Sequence, residues 1–331
     1  MKYHRFIYYR GPISDHFDGK TFSNYTENHH RGVIDFLKWR LLGVRASWPK
    51  HLSNKFDDIP PSRVEGRNIR VSMIGHATVL IQTQGINFIT DPVYAEKAGP
   101  LGLMGPKRVV EPGVKFENLP KIDAILLSHN HYDHMDTGTL KAIVERDNAR
   151  IITPLGNDVI LRRHGIKSQI AVLDWHQNYP INKNVNIILT PAEHWSSRYG
   201  MDKNRALWGG FMVQSSKEFV YFAGDTGYGD GRIFKEIKEK YGAPKIAILP
   251  IGAYEPRWFM KIVHINPEDA VKAFIDLGKP KTLGIHFGVF QLTDEAYDHP
   301  VQKLSDALNE LAAREREQFI PMYPGEVFEV K

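Results

Sequence analysis

With 331 residues, 42% of them apolar and 24% charged, the chain can bury a full core in one large domain or two small ones, and it reads as globular. It contains no cysteine, which excludes disulfides and thiolate metal sites and leaves nitrogen and oxygen donors for any metal. The net charge of +5, from 43 basic and 38 acidic residues, is too mild an excess to identify an anionic partner.

The opening segment MKYHRFIYYRGPISDHFDG has neither an apolar h-region nor a small-residue cleavage site, and no apolar run approaches membrane-spanning length. A cytoplasmic protein, with at most peripheral membrane contact, is therefore expected. Residues 1–67, rich in His, Tyr and Asn, read as an N-terminal extension packing on or near the core. They hold one helical candidate, Arg31 to Arg45, in which Val33, Ile34, Leu37, Leu41 and Val44 recur at helical spacing. Docking of that apolar face on the core is the first expectation. A membrane-surface helix, kept open by Trp39 and Trp48, is the alternative.

Residues 68–331 read as one α/β layered hydrolase domain. Short β-branched runs at Val71 to Ile74, Val79 to Gln82, Ile86 to Thr90, Ala124 to Ser128 and Ile151 to Thr153 predict a first set of strands. A second set follows at Ile170 to Leu173, Val185 to Leu189, Gly210 to Val213, Phe219 to Phe222, Ile246 to Pro250 and Thr282 to His286. Amphipathic helical patterns are interleaved with them. The clearest opens at Asn266-Pro267-Glu268-Asp269, an N-cap followed by proline and acidic first-turn residues, and stops at Gly278.

Chemistry concentrates in Ser128-His129-Asn130-His131-Tyr132-Asp133-His134, where an apolar strand runs into a burst of imidazoles and a carboxylate. This spacing lets His129 and His131 meet one ion while Asp133 and His134 meet a second. Further donors stand at later strand ends: His194, Asp225 and His286. The predicted arrangement places His129, His131 and His194 on one ion and Asp133, His134 and His286 on the other, with Asp225 as the bridge. Two zinc ions suit this nitrogen-rich set, although iron or manganese would accept it. Asp91 is either a turn aspartate or a carboxylate orienting an imidazole. Asp136 reads as a helix N-cap rather than a ligand, and His76 as a histidine packed under the loops. Tyr132 either contacts substrate or packs. Trp195, Tyr254 and Trp258 are core aromatics by default and an apolar acyl groove by alternative.

Together with the histidine motif, Gly75-His-Ala-Thr78, Thr90-Asp-Pro92, Ala192-Glu-His194-Trp195, Leu207-Trp-Gly209, Phe222-Ala-Gly-Asp-Thr-Gly-Tyr228 and the run Leu249 to Met260 carry a resemblance to a known family. The chain resembles the metallo-β-lactamase superfamily, and within it the N-acylphosphatidylethanolamine-hydrolysing phospholipases D and their bacterial relatives, over about residues 68 to 325. That resemblance implies an αββα sandwich of two mixed sheets flanked by helices. It also implies a zinc pair, a phospholipid substrate cleaved as a phosphodiester through a metal-bridging hydroxide, peripheral membrane contact and a homodimer. Asp133 and Asp225 would then be catalytic as well as ligating, and His264 would contact substrate or protonate the leaving group. A lactonase or thioesterase of the same fold is the alternative activity, and a metal- or lipid-binding protein without turnover the alternative class. No nucleic-acid partner is expected, since no binding module accompanies the mild charge.

Overall fold

The computed structural model describes residues 6–26, 32–215 and 218–330. In chain order its strands are β1 (Ile69–Gly75), β2 (Thr78–Thr83), β3 (Ile86–Thr90), β4 (Ala124–Leu126), β5 (Arg150–Pro154), β6 (Ile170–Leu173), β7 (Asn178–Pro180) and β8 (Val185–Thr190). They continue with β9 (Gly210–Ser215), β10 (Glu218–Phe222), β11 (Ile246–Pro250), β12 (Lys281–Ile285), β13 (Phe319–Pro321) and β14 (Val327–Val330). The principal helices are α1 (Val33–Leu42), α2 (Thr137–Asp147), α3 (Asn157–Arg163), α4 (Arg232–Tyr241), α5 (Arg257–Met260), α6 (Pro267–Asp276) and α7 (His299–Leu308).

Two seven-stranded sheets result, ordered β14-β1-β2-β3-β4-β5-β6 and β13-β12-β11-β10-β9-β8-β7. Each is mixed: β14 to β3 pair antiparallel and β3 to β6 parallel, while β7 to β10 pair antiparallel and β10 to β13 parallel. Strand alternation sorts the core into three layers. Val79, Ile81, Val220 and Phe222 point between the sheets, where they meet Met73, Leu189, Phe211 and Ile248. Leu80 faces the other way, onto Leu140, Ile143 and Ile160 of α2 and α3. Phe219 and Tyr221 likewise face Phe234, Ile237 and Phe274 of α4 and α6. The predicted αββα sandwich is the observed architecture.

Alternation of strand direction positions the site. Strands β1, β3 and β4 run the same way in the first sheet, as do β8, β10 and β12 in the second. Their C-terminal ends therefore open on one edge of the sandwich, and the loops leaving them carry His76, Asp91, His129 to His134, His194, Asp225 and His286. Two local predictions hold in detail. Asn266 caps α6, its Oδ1 accepting the Asp269 N–H at 3.0 Å, and Asp136 caps α2, its Oδ1 accepting the Gly138 N–H at 3.0 Å.

The N-terminal residues reach the core at a few points: Phe17 and Phe22 join the layer between the sheets, and Tyr8 packs beside α3. The helical candidate at Arg31 to Arg45 departs from expectation. Arg31 lies outside the described residues, and α1 turns its apolar stripe to solvent: Ile34 is 82% exposed, Leu37 49% and Leu41 80%. Among the described side chains of α1 only Trp39, on the opposite side of the helix, is buried. Its indole N–H donates to Asp294 at 2.7 Å and its ring lies 5.1 Å from that of Phe259. Docking on the core through the predicted apolar face is thus corrected: one tryptophan and its hydrogen bond hold the helix, and the stripe stays free.

Candidate metal centre

Leu126 ends β4, and the chain then turns sharply enough to bring four side chains of the motif into one cluster. Ser128 fixes the turn, since its N–H and Oγ–H both donate to the buried Asp91 carboxylate, at 2.7 and 2.5 Å. Gly224 allows the second sheet to close on it. Its φ is 63°, and a Cβ there would lie 3.0 Å from that of Ser128, so glycine is what lets Asp225 approach. His76, Asp91 and His286 also hold positive φ values, 59°, 33° and 65°, which is backbone strain gathered where the loops converge.

Two donor groups result. In the first, His131 Nδ1 stands 2.9 Å from His129 Nε2 and 3.2 Å from His194 Nε2. In the second, His134 Nε2 and His286 Nε2 are 3.3 Å apart, and Asp133 Oδ2 lies 3.4 Å from the former and 3.8 Å from the latter. Asp225 touches both groups: its Oδ2 is 3.8 Å from His194 Nε2 and 3.1 Å from His134 Nε2, and its Oδ1 is 3.1 Å from His286 Nε2. The structure therefore brings all seven predicted donors together, with His76 also standing among Asp133, His134 and His286, and His264 beside His194 and Asp225.

Outer partners fix the ring orientations. His134 Nδ1 lies 2.7 Å from Asp91 Oδ2, and His194 Nδ1 lies 2.9 Å from the Val263 carbonyl, so each ring donates outward and turns an Nε2 lone pair inward. His129 does the same through Ser128 Oγ at 2.9 Å, because that hydroxyl has already given its proton to Asp91. His129 and His194 thus aim Nε2 lone pairs at His131 Nδ1, where at most one contact can be a hydrogen bond, while His134 Nε2 faces His286 Nε2 in the second group. Lone pairs and carboxylates facing one another with too few protons between them fit a cation.

Electrostatics divide the two groups. Burial, reinforced by the other imidazoles, pushes His129 well below the ordinary imidazole value, His131 to about 3 and His194 to about 4, all neutral and ready to ligate. Burial acts against ionising Asp225 too, but the His134 and His286 imidazoles outweigh it and hold the carboxyl well below its usual range. Conversely, burial opposes protonation of His134 and His286, yet the Asp225 charge prevails, raising His134 strongly and His286 to about 9.

The remaining candidates sort as follows. His264 joins the cluster, its Nδ1 3.9 Å from Asp225 Oδ2 and its ring 5.1 Å from that of His194. Asp91 is the orienting carboxylate rather than a bare turn residue. Tyr132 donates its hydroxyl to the Arg198 carbonyl at 2.8 Å, a packing contact at the cavity wall. Trp195 packs its ring 4.3 Å from that of His131. Tyr254 is buried with its hydroxyl 3.0 Å from His299 Nδ1, and neither it nor Trp258 lines the cavity over the cluster. His76 was expected under the loops; it is buried, and its Nε2 also reaches 3.0 Å from Asp133 Oδ2. Its position just after a strand, like that of His194 or Asp225, is the sequence signal that could have drawn it into the site.

Over the cluster opens a cavity of about 640 Å³. His131, Asp133, His194, Asp225 and His264 form its base, and Phe36, Trp195, Phe259, Met260, Val263 and Leu292 supply apolar wall.

Comparison with known proteins agrees with this geometry. Residues 86–287 match the β-lactamase superfamily domain. The chain is 37% identical over 265 residues to the N-acyl-phosphatidylethanolamine-hydrolyzing phospholipase D 1 of Caenorhabditis elegans, covering 77% of this chain and 74% of that protein. It is 36% identical over 225 residues to the mitochondrial N-acyl-phosphatidylethanolamine-hydrolyzing phospholipase D of Saccharomyces cerevisiae, covering 66% of this chain and 47% of that longer protein. In fold it is similar to an isothiocyanate hydrolase from Delia radicum gut bacteria, with a TM-score of 0.60 at 23% identity, covering 78% of this chain and 98% of that one. A metallo hydrolase from the archaeon Ignicoccus hospitalis gives 0.58 at 23% identity, covering 80% and 99%. This chain belongs to the β-lactamase superfamily and is a hydrolase of the metallo-β-lactamase fold.

Proposed function

We propose that the protein is a two-metal phosphodiesterase that hydrolyses N-acylphosphatidylethanolamine-like lipids in the manner of a phospholipase D. One observation carries this reading: a paired His/Asp cluster of metal-ligating type forms the floor of a cavity whose walls are apolar. The likeness to the two phospholipases D supports the substrate class.

His129, His131 and His194 would hold one ion and Asp133, His134 and His286 the other, with Asp225 shared. Zinc suits this donor set. Such a pair supplies Lewis acidity and a water acidic enough to attack phosphorus near neutral pH. The chain's own residues do the rest. Asp225 orients the attacking water, because its two oxygens face both donor groups. Burial pushes His264 well below the ordinary imidazole value, so it meets substrate neutral and serves as an N–H donor to the leaving oxygen. The apolar wall, including Phe259, Met260 and Leu292, receives acyl chain and excludes water. Cleavage of the P–O bond on the ethanolamine side then releases phosphatidic acid and an N-acylethanolamine.

A lipid must lift out of its bilayer to reach this floor. Phe36 and Trp39 of α1 line the cavity, while Ile34, Leu37 and Leu41 of the same helix stand exposed beside Lys38 and Arg40. Such a helix suits insertion into an anionic interface. Among the described residues no helix is long and apolar enough to cross a membrane.

The test is mass spectrometry of products from N-acylphosphatidylethanolamine vesicles in water enriched in oxygen-18. Label in phosphatidic acid is expected. Label in a released fatty acid would overturn the phosphodiesterase reading in favour of acyl-ester hydrolysis.

A further inference from the structure

His76 is not among the seven donors, yet it is 1% exposed at the centre of the site and adopts the left-handed backbone that a β-carbon disfavours, with φ 59°. Such a conformation persists only where surrounding contacts enforce it. Two contacts do. The His76 carbonyl accepts the His286 N–H at 2.9 Å, and its ring packs against that of His286 with centroids 3.9 Å apart. His76 Nε2 stands 3.0 Å from Asp133 Oδ2. Its Nδ1 is buried with no partner, so the single proton of a neutral ring belongs on Nε2, where the carboxylate accepts it.

We propose that His76 is a positioning residue for the second ion, setting two of that ion's three exclusive donors at once: Asp133 through the Nε2–H hydrogen bond and His286 through backbone and ring. It acts through these donors and does not itself ligate. This inference rests on the proposed two-metal reading. The strand is irregular just before His76: its pairing with β2 shifts register between Met73 and Gly75, and Gly75 lies so close to Arg108 that a Cβ would meet Nη1 at 3.1 Å.

The experiment is stepwise chelator competition with zinc, and cobalt(II) absorption spectra, on the full chain as wild type, His286→Ala, His76→Gly and His76→Gln. Glycine keeps the left-handed backbone while deleting the ring, so a lost ion cannot be charged to strain. Glutamine restores a side-chain N–H donor. In His76→Gly the binding step that His286→Ala removes is expected to weaken by about 10- to 100-fold, with the other step unchanged. His76→Gln is expected to recover part of that loss and to keep the wild-type cobalt spectrum. Unchanged binding of both ions in His76→Gly overturns the proposal. Equal loss in His76→Gln, with an altered cobalt spectrum, also overturns it, by making His76 a ligand. A wild-type chain that binds fewer than two ions would instead overturn the two-metal reading, before any variant is compared.

Discussion

The exposed stripe of α1 gives the most direct test of the proposed membrane contact. Replacing Ile34, Leu37 and Leu41 together with serine removes three apolar side chains that are 82%, 49% and 80% exposed. Fully withdrawing such a side chain from water is worth about 2 kcal/mol, so scaling by these fractions gives about 4 kcal/mol for the three on complete insertion and about half that at partial depth. At about 1.4 kcal/mol per factor of ten, vesicle affinity should fall by roughly thirtyfold to a thousandfold. The assay is co-sedimentation with vesicles containing anionic lipid, alongside turnover of bis(p-nitrophenyl) phosphate, which needs no membrane. Turnover of the soluble ester should be unchanged. Thermal stability should be unchanged as well, because the stripe packs on nothing in the core and Trp39 still holds the helix. Unchanged vesicle affinity would refute the membrane role. A shift from dimer to monomer in the triple variant, with vesicle binding intact, would refute it too and assign the stripe to a homodimer.

Elemental analysis of purified protein should find close to two transition metals per chain, with His286→Ala or Asp133→Ala depleting one; fully active, metal-free protein would end the two-metal reading. Asp91→Ala removes the acceptor for the His134 ring and the Ser128 hydroxyl, so metal affinity should drop by about 10- to 100-fold in chelator titrations, and an unchanged affinity would show that His134 is oriented otherwise. Away from the site, His16 is held between Asp15 at 2.6 Å and Asp174 at 2.7 Å. Burial acts to lower its pKa, but the hydrogen bonds to Asp174 and Asp15 prevail and raise it above the ordinary 6.5. A raised folded-state pKa contributes stability that is complete below that ordinary value and fades as pH climbs through the folded one. Melting curves of wild type and His16→Asn should therefore differ most near about pH 5.5 and converge in mild alkali, and a gap independent of pH would show that the carboxylates do not hold a proton there.

Much of the site is legible from residue type and strand ends because its chemistry is local. A strand, a tight turn and a spacing of one or two residues suffice to put His129, His131, Asp133 and His134 in one place, and the later donors each stand at or shortly after the end of a predicted strand. The run at Ala124 to Ser128 reads as one strand because it is apolar up to Ser128, yet pairing stops at Leu126, where the chain must turn to deliver His129. β7, β13 and β14 escape a reading by periodicity. Each is only three or four residues long, and β14 exists because β1 offers an open edge: Val330 pairs with Ile69, a partnership fixed by tertiary approach.

Helix α1 shows where a sequence pattern runs out. Periodicity identifies which side chains share a face, and it did so correctly for Ile34, Leu37 and Leu41, but it says nothing about whether that face turns inward. Orientation is decided here by a single residue on the other side. Trp39 buries a large ring against Phe259 and satisfies its N–H on Asp294, and no arrangement that buried the stripe instead could keep both contacts. The exposed stripe is thus the consequence of anchoring the helix through Trp39 at the wall of the cavity, and Phe36, which also lines that cavity, packs edge-on against the same ring at 5.8 Å. Trp39→Ala should accordingly release α1 from the wall. Amide exchange should rise across Val33–Leu42 and fluorescence should lose a buried indole, while exchange in β4 and β12 stays slow. Protection of α1 that survives this change would mean that the helix is held by its apolar stripe after all.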